Sequence, residues 1–64
     1  MSDETHLIEG TVKAVTELAI LIDDGGDEVW IPLSQIVYGP DEFERDDEVE
    51  IEIPLWLAEA KGLV

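Results

Sequence analysis

From Glu48 to Ile53 the chain reads EVEIEI, an acid and an aliphatic residue in strict alternation. Successive side chains of a β-strand point to opposite faces. Val49, Ile51 and Ile53 therefore share one face, and Glu48, Glu50 and Glu52 the other. A helix would scatter these residues around its axis. The apolar side of such a strand needs a core, so the remaining sequence has to supply more strands. It has little length to do so. At 64 residues with no cysteine, the chain is a single domain over residues 1–64, with a thin core and no disulfide or thiolate metal site to staple it.

Further strands are legible. His6–Val15 (HLIEGTVKAV) places Ile8, Gly10, Val12 and Ala14 on one face and Leu7, Glu9, Thr11 and Lys13 on the other. Gly10 inside it marks a bulge or sharp bend. Leu18–Asp23, the turn DDGGDE and then VWIP form a hairpin in which Gly25 and Gly26 supply positive φ. Pro32 ends the second strand or lies on an edge. Leu33–Pro40 reads as a turn or short 3₁₀ stretch followed by a loop, and Asp41–Asp47 as an acidic loop. Pro54 opens a short helix, PLWLAEAKG, which Gly62 terminates. Met1–Thr5 reads as a frayed start. The expected fold class is mainly β with one short C-terminal helix. It is a small curved antiparallel sheet, or an SH3-like or OB-like barrel, of four to five strands.

Charge sets the functional expectation. Seventeen acids face three bases, for a net charge of −14, while 45% of the residues are apolar. Acidic disordered tails lack that apolar content. A globule of this length has a radius of gyration near 11 Å, or a diameter of roughly 28 Å. Duplex DNA carries about 16 charges over that span. Such a chain repels nucleic acid and attracts a basic surface. A bland alternative is solubility, or adaptation to high salt.

The acids fall into two clusters. Asp23, Asp24, Asp27 and Glu28 lie at the hairpin tip. Asp41, Glu42, Glu44, Asp46, Asp47, Glu48, Glu50 and Glu52 form the second. Carboxylates accept bidentate arginine pairs much as phosphates do, so both clusters are candidates for binding a basic partner. Tyr38 and Phe43 flank the acidic loop and are candidate apolar anchors. Trp30 and Trp56 are expected in the core or covering an edge. Leu21 and Trp30 have outward parity, so either the helix covers them or they form an exposed patch.

Other chemistry finds little support. DDGGDE lacks the ligand spacing of a calcium loop. His6 is the only histidine, and neither serine lies in a nucleophile motif. No enzyme activity, cofactor or metal site is expected. No apolar run is long enough to span a membrane, and the acidic start has no signal-peptide pattern. The expectation is a cytoplasmic protein, monomeric and without membrane or direct nucleic-acid partners.

The segments EVWIPLSQI and DEVEIEIPLWLAEAKGL, within Glu28–Leu63, resemble a family of small acidic proteins of phages and mobile elements. In size and acidity the chain also resembles small anti-CRISPR proteins that act on type I-C systems. The second resemblance implies an inhibitor that keeps target DNA from a CRISPR surveillance complex, and it assigns no residue a role. The residues and the resemblance together lead to the expectation of an acidic DNA mimic. A small accessory or interaction module without mimicry is the alternative.

Overall fold

The alternation in EVEIEI is met by three more strands, all antiparallel. The computed structural model describes residues 4–64. Four strands, β1 (Thr5–Val15), β2 (Ala19–Asp23), β3 (Glu28–Pro32) and β4 (Glu48–Pro54), form one sheet in the order β3-β2-β1-β4. A 3₁₀ turn (Leu33–Gln35) follows β3, and helix α1 (Leu55–Ala60) follows β4. The fold is thus mainly β with one short C-terminal helix. The sheet is open, with β3 and β4 at its edges, so the curved-sheet arrangement is found and the closed barrel is not.

Strand β1 is the spine of the sheet. Its first part, Thr5–Thr11, pairs with β4, and its second part, Thr11–Val15, pairs with β2. Only Thr11 has a partner on both sides. This stagger requires strong coiling, and Gly10 permits it. A Cβ there would collide with the Asp23 carbonyl oxygen and lie 2.7 Å from Ile22 Cγ2. The bulge itself falls three residues later, where Lys13 is the extra residue between Val12 and Ala14. It brings Ala14 opposite Leu21 and Val15 opposite Ile20. Ala14 therefore leaves the face of Ile8 and Val12, contrary to the simple alternation, because a bulge resets the two-residue period.

One face of the sheet carries the core. Val12, Ile20, Ile22, Ile31, Ile51, Ile53 and Ala58 are fully buried, with Ile8 and Leu57 nearly so. All the strand members are β-branched, which suits a pleated, packed surface. Helix α1 covers this inner face through Leu57 and Ala58. It starts directly after Pro54 and ends at Gly62, whose φ of 76° is the left-handed geometry of a helix stop.

Because α1 takes the inner face, it does not cover Leu21 and Trp30, and Trp30 is 44% exposed on the outer face of edge strand β3. Trp56 projects from α1 and is 59% exposed. Neither tryptophan belongs to the core. The core is built instead from isoleucines with Val12, Leu57 and Ala58.

Of the segment expected to fray, Met1, Ser2 and Asp3 lie outside the described residues. The rest is tied down. Thr5 begins β1 and its Oγ1 donates to Glu52 Oε1 at 2.7 Å, while the Glu4 carbonyl accepts from the Leu55 N–H at 3.0 Å. Pro32 is the last residue of an edge strand, where its missing N–H is harmless.

Candidate functional site

Asp23 and Asp24 stand at the end of β2. The Asp23 carboxylate accepts from the Gly25 N–H at 2.9 Å, and Asp24 Oδ1 from the Asp27 N–H at 3.4 Å. Aspartate supplies such local acceptors readily, which is why it favours turns. Gly25 takes the positive φ, at 111°, and Gly26 does not. The hairpin therefore needs one permissive glycine where the sequence suggested two. Asp27 and Glu28 complete the exposed tip, with Glu28 opposite Asp23.

Asp46 and Asp47 also have structural duties. Asp47 N–H donates to the Glu44 carbonyl at 3.2 Å, closing a four-residue turn, and Asp47 Oδ2 accepts from the Glu44 N–H at 3.2 Å. Asp46 is the third residue of that turn and has φ of 74°. Asp tolerates this left-handed region better than most residues. Around the turn, Asp46 N–H donates to the Val12 carbonyl at 2.7 Å and Val12 N–H to the Asp47 carbonyl at 2.8 Å. These two bonds lead the acidic loop into β4.

Glu48 and Glu50 follow on the outer face of β4, and they meet the hairpin. Strand β1 sets Thr11 beside both Asp23 and Glu48, and sets Glu9 directly opposite Glu50. The result is an open hollow of about 570 Å³ lined by Glu9, Asp23, Asp24, Glu48 and Glu50, with Gly10, Thr11, Gly25 and Val49 between them. Members of the two acidic clusters that are 24 or more positions apart in sequence, Asp23 and Asp24 from one and Glu48 and Glu50 from the other, are thus joined into one site. Directly opposite residues have Cβ atoms about 4.5–5.5 Å apart, so Glu9 and Glu50 repel each other. The carboxylates of Glu9, Glu48 and Glu50 make no side-chain hydrogen bond among the described residues. Glu52, farther along the same face, is engaged by Thr5.

Glu9 is the member that sequence reasoning missed. Its outward parity on β1 was legible, but its position opposite Glu50 depends on the register of two strands forty residues apart. Among the described residues, no three His, Cys, Asp or Glu side chains are placed to hold a metal ion.

The remaining candidates are elsewhere. Asp41, Glu42, Glu44, Tyr38 and Phe43 line a second hollow, of about 640 Å³, with Val15, Leu33, Ile36, Val37, Gly39 and Pro40. Tyr38 is 69% exposed, as an anchor must be, while Phe43 packs partly against the core. Part of the predicted partner-binding set therefore divides between two separate hollows, while Asp27, Glu28, Asp46, Asp47 and Glu52 line neither. No protein-family model, curated protein or solved structure matches this chain.

Proposed function

We propose that this protein is a non-enzymatic inhibitor that imitates the charge of DNA and occupies a nucleic-acid-binding groove of a bacterial defence complex. The observation that carries this reading is the convergence of Glu9, Asp23, Asp24, Glu48 and Glu50 on one hollow. Carboxylates set opposite one another across two strands lower stability. Solubility does not require that placement, whereas a surface built to meet arginines does.

The dimensions are compatible with it. The molecule measures 34 × 25 × 17 Å, with a radius of gyration of 10.8 Å. About 20 phosphates of duplex DNA span 34 Å of axis, against a net charge of −14. Charge of that density steers association with a basic groove and gives it a steep salt dependence. Action inside the cytoplasm of a bacterial host, as a monomer, follows from this reading. Among the described residues no helix is long and apolar enough to cross a membrane.

The anti-CRISPR resemblance selects the first target to try, a type I-C surveillance complex. Target-DNA binding by that complex is measured by gel shift with increasing amounts of the protein. The expected result is loss of DNA binding, restored when Glu9, Glu48 and Glu50 are changed together to Gln. Asp46 and Asp47 are left intact because they hold the turn. Inhibition that survives the triple change sinks mimicry through this hollow. A docking module without mimicry would instead bind its partner with little response to salt between about 0.05 and 0.5 M, where the Debye length falls to a few ångströms.

A further inference from the structure

The hollow at Tyr38 differs from the acidic one in kind. Its floor is Leu33, Ile36 and Phe43, packed against the core and therefore fixed. Its rim is apolar and open: Val15, Val37 and Tyr38 are 44%, 59% and 69% exposed. The rim is also held in place. Val37 N–H donates to the Glu52 carbonyl at 2.8 Å, and Glu52 N–H to the Tyr38 carbonyl at 2.8 Å, so this loop extends the β4 edge. Gly39 then runs close over Ile51, where a Cβ would stand 2.9 Å from Ile51 Cγ2. A rigid apolar floor with exposed aromatic and aliphatic walls is how a binding groove is built.

Charge is unevenly placed along it. Asp41 and Glu42 line this hollow. An adjoining hollow of about 510 Å³ shares Val15, Phe43 and Glu44 with it, lacks Asp41 and Glu42, and adds Lys13, Ala14 and Arg45. Two of the three basic residues of a chain with net charge −14 thus border the adjoining hollow. Asp41 and Arg45 are four positions apart, a reach of at most about 14 Å.

We infer that this groove binds a short segment of a partner protein with a definite order of chemistry: arginine or lysine at one end, apolar side chains in the middle, and acidic residues at the other. The basic end meets Asp41 and Glu42, the apolar side chains rest on Phe43 and Ile36 beside Tyr38, and the acidic end meets Lys13 and Arg45. An anionic membrane surface would be repelled by the neighbouring acids. This site is separate from the Glu9–Glu50 hollow and does not depend on DNA mimicry.

The test uses a probe with no net charge, which the overall field of the protein cannot attract. The peptide acetyl-Arg-Lys-Ala-Leu-Ser-Leu-Glu-Glu-amide is titrated into the ¹⁵N-labelled protein and followed by amide shifts. Expected are shifts confined to Val15, Val37, Tyr38, Phe43 and their neighbours. Replacing both leucines of the peptide by serine should abolish them. Tyr38→Ala should weaken binding about tenfold or more, as loss of a central aromatic anchor does, and Arg45→Glu should weaken it too. The spectrum of each variant reports whether it is folded. No shift at millimolar peptide, equal shifts with the serine peptide, or shifts at Glu9 and Glu50 would each overturn the inference. The first two outcomes leave inhibition of DNA binding through the acidic hollow untouched, and shifts at Glu9 and Glu50 would place the peptide in that hollow instead.

Discussion

Asp23, Asp24 and Asp47 hold backbone N–H groups with their carboxylates, whereas the carboxylates of Glu9, Glu48 and Glu50 make no side-chain hydrogen bond in the described structure, and Glu9 and Glu50 face each other across the sheet. The sequence offers both groups as the same thing, a run of acids. Their physics differs. A turn aspartate is explained by the turn it makes, so its charge is incidental to its presence. A strand glutamate opposite another glutamate has no such local explanation. Counting acids therefore overstates the surface available for a partner, and the residues that best support a binding role are the ones with no structural duty.

Gly10 is where the two groups meet, and disturbing it should have the largest effect. Gly10→Ala would drive a methyl group into the Asp23 carbonyl and Ile22. The expected loss is about 1–3 kcal/mol of unfolding free energy, in the range of overpacked sites, read by urea denaturation. For a 64-residue domain that is a large share of the total. An unaffected midpoint would mean that β2 does not pack against β1 at Gly10 as closely as described.

The turn at Glu44–Asp47 separates backbone from charge. Asp46→Gly and Asp46→Ala both remove one negative charge. Relief of left-handed strain predicts that Gly stabilises and Ala destabilises, a gap of about 1 kcal/mol. If relief of repulsion dominates instead, both variants gain stability. Asp47→Ala should cost about 0.5–1 kcal/mol through the lost bond to the Glu44 N–H. Asp47→Asn keeps an acceptor and should cost less. The strand acids should behave in the opposite way. Glu9→Gln or Glu50→Gln removes a like-charge pair and should raise stability by about 0.2–1 kcal/mol, while weakening any basic partner.

Much of this fold is readable residue by residue. The alternation of β4, the apolar–Gly-Gly–apolar pattern of the hairpin and the Pro54/Gly62 punctuation of α1 are local signals, and each led to an element at its observed place. What the chain does not display locally is register. The bulge at Lys13 turns Ala14 to the other face, and no turn residue or glycine at that position announces it. The pairing of Glu9 with Glu50 depends on how far β1 extends past β2. The tryptophans were expected in the core or covering an edge, yet the core is filled by β-branched residues and α1, and both indoles stay largely exposed, Trp30 on edge strand β3 and Trp56 on α1. Candidate residues were thus legible as a composition, and their division into two hollows was not.

Salt should produce the smallest effect and draws the comparison most finely. At about 0.01 M the Debye length is roughly 30 Å, close to the 34 Å length of the molecule, so every carboxylate feels the others. At 1 M it is about 3 Å, and only near neighbours still interact. Two unit charges about 5 Å apart in water repel by about 0.8 kcal/mol, so a directly opposed pair such as Glu9–Glu50 contributes more than any single distant pair. The melting temperature should rise with added salt for the wild-type chain. That rise should shrink in Glu9→Gln or Glu50→Gln and stay nearly whole in Asp47→Asn, although each variant loses one negative charge. Equal reductions in all three would mean that repulsion is spread evenly over the surface, and the distinction between turn acids and strand acids would fail.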